Sequence, residues 1–119
     1  MQRTTTLKML LGTYVAAAFV VAPGMAGAAK SYQGDDWSQD LDDYRQMQTC
    51  DVETDGKAVH SDAKLRNGST KQRAAVDSDG GGNACATSAR TVSDIIQHRT
   101  CEEKPAWPDD CGNWVGTGA

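Results

Sequence analysis

The sequence predicts an all-β or mostly β fold: a small disulfide-stabilised antiparallel sheet or sandwich over residues 45–119, after a cleaved signal helix. Removing residues 1–28 from the 119-residue chain leaves 91 residues with only fifteen large apolar side chains, while nine glycines add backbone entropy that folding must overcome. All four cysteines lie in this part, and small exported domains with a thin apolar core usually contain disulfides. Short apolar runs between Asx-Gly turns supply the strands.

Residues 1–28 have the three parts of a secretory signal peptide. Two cations precede an uncharged run of 14 residues, and small residues end at Ala28, where we expect cleavage, with Ala29 as the second choice. A membrane anchor is the alternative, but a spanning helix needs about 20 apolar residues. We therefore expect a secreted, extracellular protein.

The charge of the mature chain limits its partners. After the expected cleavage it has ten cations and sixteen acids, a net charge of −6. Nucleic acids and anionic lipids bind to basic patches, so this balance argues against both. An extracellular protein or a glycan is the expected partner.

Four cysteines permit three pairings. We favour Cys101 with Cys111, because the loop between them is short and proline-rich, which leaves Cys50 with Cys85. Zinc is the competing explanation. No two cysteines are spaced C-x-x-C, only two histidines could assist, and an oxidising destination favours disulfides.

Residues 29–44 are predicted to form an N-terminal arm that is irregular or contains a short helix. Trp37, Leu41 and Tyr44 stand at i, i+4 and i+7, which places them on one helical face. One face of a strand can equally begin near Tyr44. A strand is expected over residues 45–52.

A hairpin is predicted over residues 51–65, because Asp55-Gly56 is a strong two-residue turn signal. After this turn, small or apolar residues alternate with charged ones. The alternation predicts a half-buried strand with His60 on its charged, solvated face.

The next turn signal is Asn67-Gly68, and a third strand is expected over residues 71–77. The glycine-rich residues 77–83 are predicted to form a loop. Residues 86–90 are small and polar and are assigned to a loop as well.

Residues 91–101 are predicted to form a strand, because they contain the adjacent β-branched residues Ile95 and Ile96. A helix is the alternative, since the apolar residues here also fit a helical stripe. Residues 113–115 are expected to add a last edge strand, with Trp114 in the core.

Several short motifs occur together in the mature chain: Cys50-Asp51 followed by Asp55-Gly56, the glycine loop at residues 77–85, Cys101-Glu102, and residues 111–115. In these motifs the chain resembles small exported four-cysteine β-domain proteins that are common in actinobacteria. The resemblance covers nearly all of the mature chain except residues 37–47. It implies a small sheet or sandwich and no established activity.

Residues 51–62 nearly match the ligand spacing of a calcium-binding loop, with glycine at its sixth position. The acids at its first, third, fifth and twelfth positions are Asp51, Glu53, Asp55 and Asp62. Glu53 is longer than the usual third ligand, and Asp62 is shorter than the usual closing Glu. A charged hairpin turn is therefore favoured over a calcium site, and no cofactor is expected.

The sequence predicts no enzyme and no catalytic residues. If all four cysteines form disulfides, no thiolate remains, and no serine stands in a G-x-S-x-G motif. His60 and His98 are both expected on charged, solvated strand faces. Trp107, between two prolines, is a candidate binding residue as an exposed aromatic platform, although packing over the nearby disulfide is favoured.

Two function classes remain. The first is a secreted, non-catalytic binding or interaction module that presents its loops at residues 77–83 and 104–110. The second is an inhibitor of secreted hydrolases such as proteases, because preorganised loops lose little entropy on binding. Lys104 is a poor reactive-site residue, since Pro105 follows it.

Overall fold

The computed structural model describes residues 29–78, 84–106 and 108–119. These residues form strands and contain no helix, which confirms the all-β prediction. The expected signal helix at residues 1–28, most of the predicted 77–83 loop and Trp107 lie outside the described residues. No helix in the part that is described has the length and apolar character needed to span a membrane.

The strands of the described residues form two antiparallel sheets. They are β1 (Lys30–Gln33), β2 (Asp36–Leu41), β3 (Gln46–Cys50), β4 (Val59–Leu65), β5 (Thr70–Asp77), β6 (Ala86–Thr87), β7 (Ile95–Glu102), β8 (Asp110–Cys111) and β9 (Val115–Gly116). The first sheet has the order β1-β2-β3-β6, and the second has the order β5-β4-β7-β8, with β9 also paired to β7. Because β1 and β2 pack on β7 while β3 packs on β4 and β5, the two sheets face each other.

The prediction of an arm or short helix over residues 29–44 was wrong, because β1 and β2 occupy this segment. Asp36, Ser38 and Asp40 point inward and are at most 1 % exposed, while Trp37 on the opposite face is half-buried. The spacing of Trp37, Leu41 and Tyr44 suggests a helix if these residues mark the buried face, whereas the buried face of β2 is polar. Ser38 and Asp40 are hydrogen-bonded to side chains of β7, and Asp36 is hydrogen-bonded to amides of the segment after β3, which offsets part of the cost of burying them.

The predicted hairpin at residues 51–65 was also wrong. β3 pairs with β2 and β6, whereas β4 pairs with β5 and β7, so residues 51–58 cross from one sheet to the other. Gly56 does adopt a positive φ of 73°, as its turn signal requires, but a turn signal does not specify which strands pair. The Asn67-Gly68 turn is confirmed, since it joins β4 to β5 with Gly68 at φ 93°.

The strand predicted at residues 91–101 is confirmed from Ile95 onward, as β7 (Ile95–Glu102), but Trp114 is not a core residue. It is half-buried, and its ring lies beneath two cations, with Lys64 Nζ 4.3 Å and Arg99 Cζ 4.6 Å from the ring centroid. Trp114 therefore covers the outer surface of the β4–β7 pair, and its cation–π contacts are made at the surface.

The interior between the sheets has an apolar part and a polar part. The apolar cluster consists of Met47, Ala63, Leu65, Ala75 and Ile95. The polar part contains hydroxyl, imidazole and carboxylate groups that are 0–1 % exposed: Ser31, Ser38, Asp40, Thr49, His98 and Thr100. So small an apolar cluster gives limited hydrophobic stabilisation, which increases the importance of the cross-links.

Two disulfides tie the fold together, and they are the favoured pairs. Cys50–Cys85 joins the end of β3 to the segment before β6, and Cys101–Cys111 joins two paired residues of β7 and β8. All four cysteines are used.

Removing either disulfide should lower the free energy of unfolding, with the larger loss for Cys50–Cys85. The bridges span 35 and 10 residues of sequence. In the chain-entropy model these loops correspond to about 3–4 and about 2–3 kcal/mol, respectively. Urea unfolding of the C50A/C85A and C101A/C111A variants measures both losses. A larger loss from the shorter loop would contradict this expectation.

Replacing Gly112 by alanine should destabilise the contact between the end of β8 and β1. A Cβ at this position would overlap the backbone oxygen of Tyr32, and a backbone obstacle cannot swing aside. We expect Gly112→Ala to lower the free energy of unfolding by about 1–3 kcal/mol, as overpacking does elsewhere. Gly116→Ala is the matched control, because the nearest atom to its Cβ is the Ile96 oxygen at 4.0 Å. Equal stability of the two variants in urea would refute the close contact.

Candidate functional site

Three of the four acids predicted as calcium ligands lie together. The acids beside them come from other parts of the chain and not from the predicted loop at residues 51–62. Asp51, Glu53 and Asp55 lie in the crossover after β3, where they meet Asp36 from the start of β2 and Glu102 from the end of β7. We call these five residues the carboxylate cluster. Because β2 and β7 belong to different sheets, the cluster lies where the two sheets meet.

Backbone amides orient the acids of this cluster. Asp36 Oδ1 accepts hydrogen bonds from the amides of Val52 at 2.8 Å and Glu53 at 3.2 Å. Asp51 Oδ1 also accepts from the Glu53 amide at 3.2 Å, while the Asp51 amide donates to Asp77 Oδ2 at 2.9 Å. Asp36 is 0 % exposed and Asp51 is 3 % exposed. The crossover therefore fixes both carboxylates in a buried position.

Burial and crowding change the acidity of the cluster. Burial is the main cause of the raised pKa values of Asp36 and Asp51. A hydrogen bond with the Asp55 side chain, followed by burial, raises the pKa of Glu102 to about 7. Glu102 therefore retains a proton in part of the molecules near neutral pH.

Asp62, the fourth predicted ligand, lies elsewhere, in the middle of β4. Its Oδ2 accepts from Arg99 Nε and Nη2, both at 3.0 Å, and its Oδ1 is 3.4 Å from His60 Nε2. Glu103 Oε2 is 3.0 Å from the other ring nitrogen of His60. Although burial favours the neutral acid, hydrogen bonds from His60, the Arg73 amide and Arg99 lower the pKa of Asp62 to about 2. Asp62 is therefore a fully charged partner for these cations.

The prediction that both histidines lie on solvated faces was wrong. His60 is 3 % exposed and His98 is 0 % exposed. The reason is that β4 and β7 are central strands, covered on both faces. His60 and Asp62 also approach the sulfur of Cys101, but that sulfur forms a disulfide and is not available to bind a metal.

His98 connects a serine and an aspartate in the polar interior. Its Nδ1 lies 2.8 Å from Ser31 Oγ, and its Nε2 lies 3.3 Å from Asp40 Oδ1 and 3.1 Å from the Ala29 carbonyl oxygen. Both neighbours of Nε2 are acceptors, so Nε2 carries the proton, and in the neutral ring Nδ1 accepts from Ser31. The order of groups resembles a Ser-His-Asp triad, but Ser31 and His98 are 0 % exposed. In this conformation no substrate reaches the hydroxyl, so the arrangement joins strands.

A cavity of about 400 Å³ opens between β5 and the segment before β7. Its walls are formed by the β4–β5 turn, the first half of β5 and residues 88–92. Buried Leu65 and half-buried Ala74 line its floor, and Val92 at its rim is 82 % exposed. We call this cavity the groove.

Three cations line the groove: Lys71, Arg73 and Arg90. None of the described residues that line it is acidic. Arg73 forms an ion pair with Glu103 and Arg90 forms one with Asp42, but both arginine side chains remain more than half exposed. Each guanidinium has five N–H donors, so each retains donors for a further partner.

The candidate binding residue Trp107 lies outside the described residues, so its role stays a prediction. The adjacent loop residues Pro105 and Pro108 are exposed. Lys104 Nζ lies 3.7 Å from Asp110 Oδ2 across the base of this loop.

Sequence reasoning missed Asp36 and Glu102 as members of the carboxylate cluster. Asp36 falls in the predicted arm, and Glu102 carries no signal of its own beyond the Cys101-Glu102 motif. Glu102 and Glu103 in fact separate, the first into the carboxylate cluster and the second to His60. The strand predicted at residues 91–101 stops one residue before Glu102; extended through both acids it gives this separation, since adjacent strand residues point to opposite faces.

The stability contributed by His60 should decrease as the pH rises. Burial favours the neutral ring, but hydrogen bonds and charges from Asp62 and Glu103 outweigh it and raise the pKa of His60 above 6.5. This stabilisation is complete below pH 6.5 and is lost as the pH rises through the folded-state pKa. The loss of unfolding free energy caused by His60→Gln should therefore be larger at about pH 5.5 than at about pH 8.5 in urea unfolding. The same loss at both pH values would show that His60 is neutral throughout.

The chain matches no protein-family model, and it has no significant similarity to a curated protein or to a solved structure.

Proposed function

We propose that the chain is an exported, non-catalytic binding module that holds an extended, acidic segment of an extracellular protein in the groove. The observation that carries this proposal is that three cationic side chains and no acidic one are among the described residues that line the groove, together with buried Leu65. The chain as a whole has a net charge of −4. Arg73 and Arg90 already pair with Glu103 and Asp42, so the features that favour an acidic partner are Lys71 and the remaining N–H donors of the two arginines.

The sheet edge beside the groove supports an extended partner. β5 is the edge strand of the second sheet, and its first four residues are exposed. An edge strand offers unpaired backbone groups to a peptide that lies along it. A bulge at Arg73, which has a φ of 51°, interrupts β5 and limits pairing along its full length. Backbone pairing with a partner is therefore expected only before the bulge, at residues 70–72, and side-chain contacts extend to Ala74.

Two further observations favour a binding role outside the cell. The two disulfides suit an oxidising destination, and they hold the scaffold in a fixed shape. A fixed groove loses little conformational entropy when it binds. The Ser31–His98–Asp40 arrangement is closed to solvent, which favours a non-catalytic role. The hydrolase-inhibitor alternative depends on the loop that contains Trp107, and it stays a prediction.

An NMR titration tests the groove. The secreted form, labelled with ¹⁵N, is titrated with an acetylated peptide of alternating Val and Glu. Amide shifts are expected to change at residues 70–74 and 88–92, and added salt should weaken binding because the contacts are ionic. Lys71→Glu should weaken binding by about tenfold, which corresponds to the loss of about one charged contact.

Lys104→Glu is the matched control, because it makes the same change of charge outside the groove. A peptide of alternating Val and Lys should not bind. Equal binding of the two peptides, or shift changes confined to other residues, would refute the proposal.

A further inference from the structure

The carboxylate cluster contains buried oxygens without a partner. Asp36 Oδ2 and Asp51 Oδ2 are both buried and neither has a hydrogen-bond donor. The second oxygen of each side chain is held by crossover amides, which fixes both carboxylates in place. A buried carboxylate oxygen without a donor or a cation is costly, so such oxygens indicate a missing positive partner.

The side chains that carry these oxygens lie beside other carboxylates. Oxygens from Asp36, Glu53 and Glu102 all lie within 4.8 Å of one another. The Asp51 side chain is within hydrogen-bonding reach of Asp36, and Asp55 is within reach of Glu102. Like charges this close repel each other strongly in a partly buried setting. A cation among them would convert this repulsion into attraction.

The separations suit calcium. Ca²⁺ binds oxygens at about 2.3–2.6 Å, so two of its ligands lie at most about 5 Å apart. Three oxygens within 4.8 Å of one another satisfy this limit. Three carboxylates within this distance already exceed the one or two that Mg²⁺ usually takes from a protein, and the absence of nitrogen and sulfur from this set disfavours zinc and copper.

We infer that the carboxylate cluster is a calcium site formed by three separate segments, the start of β2, the crossover after β3 and the end of β7. It differs from the linear loop that the sequence pattern suggested, because Asp62 is replaced by Asp36 and Glu102. It is also separate from the groove, so either proposal can fail alone. The ion links the two sheets, and calcium therefore stabilises the fold in addition to occupying the site.

Calcium titration of the secreted form tests the site. In buffer freed of divalent ions, about 5 mM CaCl₂ should raise the melting temperature by about 5 °C or more, as expected for a site of extracellular affinity in a domain of this size. Calorimetric titration with CaCl₂ should show one site per chain, and MgCl₂ should bind at least about tenfold more weakly.

Two variants connect the binding to the cluster. Asp36→Asn removes a charge from its buried centre, and Glu102→Gln replaces the carboxylate that the end of β7 contributes with a neutral amide. Each should weaken calcium binding by at least about tenfold, the loss of one charged ligand. Glu102→Gln keeps the test decisive if Asp36→Asn does not fold. Asp43→Asn is the matched control, since Asp43 lies exposed in the β2–β3 turn at a φ of 56°, which asparagine tolerates.

The calcium titrations of the wild type and the Glu102→Gln variant also define the results that overturn the inference. An unchanged melting temperature and no binding heat at about 10 mM CaCl₂ would show that there is no site of extracellular affinity. Undiminished binding in Glu102→Gln would place the ion elsewhere. Equal affinity for MgCl₂ would remove the assignment to calcium.

Discussion

Hydrogen bonding in the interior is the constraint on which this fold depends. The His98 side chain lies between the sheets and contacts Ser31 of β1 and Asp40 of β2. Thr100, two residues further along β7, lies 3.0 Å from Ser31 Oγ and 2.8 Å from Ser38 Oγ. Most inward-facing positions of β1 and β2 are thus matched to a specific partner on β7. Polar partners must be in the correct place, since an unmatched buried group is costly.

This polar interior explains how the fold reaches a unique arrangement with few large side chains. Apolar contacts tolerate sliding, whereas a one-residue shift of β2 would bury Trp37 and expose Asp36 and Ser38, which breaks every hydrogen bond on that face. The network therefore fixes the register of the first sheet against the second. The disulfides act differently, because they chiefly limit the unfolded chain. The buried polar residues thus determine the strand register, and the cysteines contribute mainly to the free energy of unfolding.

Part of this arrangement was predictable from the sequence. The strand class, the β4–β5 turn at Asn67-Gly68 and the strand around Ile95 followed from local chemistry, and such signals act within a few residues. The strands that pair with β3 could not be predicted in this way, because Asp55-Gly56 specifies a bend in the chain and does not specify which strands pair on either side of it. The polar inner face of β2 also escaped prediction, since an apolar inner face is the usual rule for a half-buried strand.

The candidate sites show the same division. The acids at positions 51, 53 and 55 were identified from their spacing, because they are close in sequence. Asp36 and Glu102 join them only through the packing of two sheets, which no local pattern encodes. The burial of His60 also depends on tertiary structure, since it results from the central position of β4 in its sheet. A single sequence therefore indicated which residue types were available and left their partners undetermined.

The Cys50–Cys85 bridge has a consequence for what happens after a protease cuts the chain. The segment that it encloses contains all of β4 and β5, which belong to the opposite sheet. A single peptide-bond cut anywhere in that segment leaves two pieces joined through sulfur, and the paired strands still hold them side by side. The Cys101–Cys111 bridge gives the same protection to its exposed proline loop. A molecule cut inside either enclosed segment therefore stays in one covalent piece, and its two parts separate only after a reductant has opened the bridge.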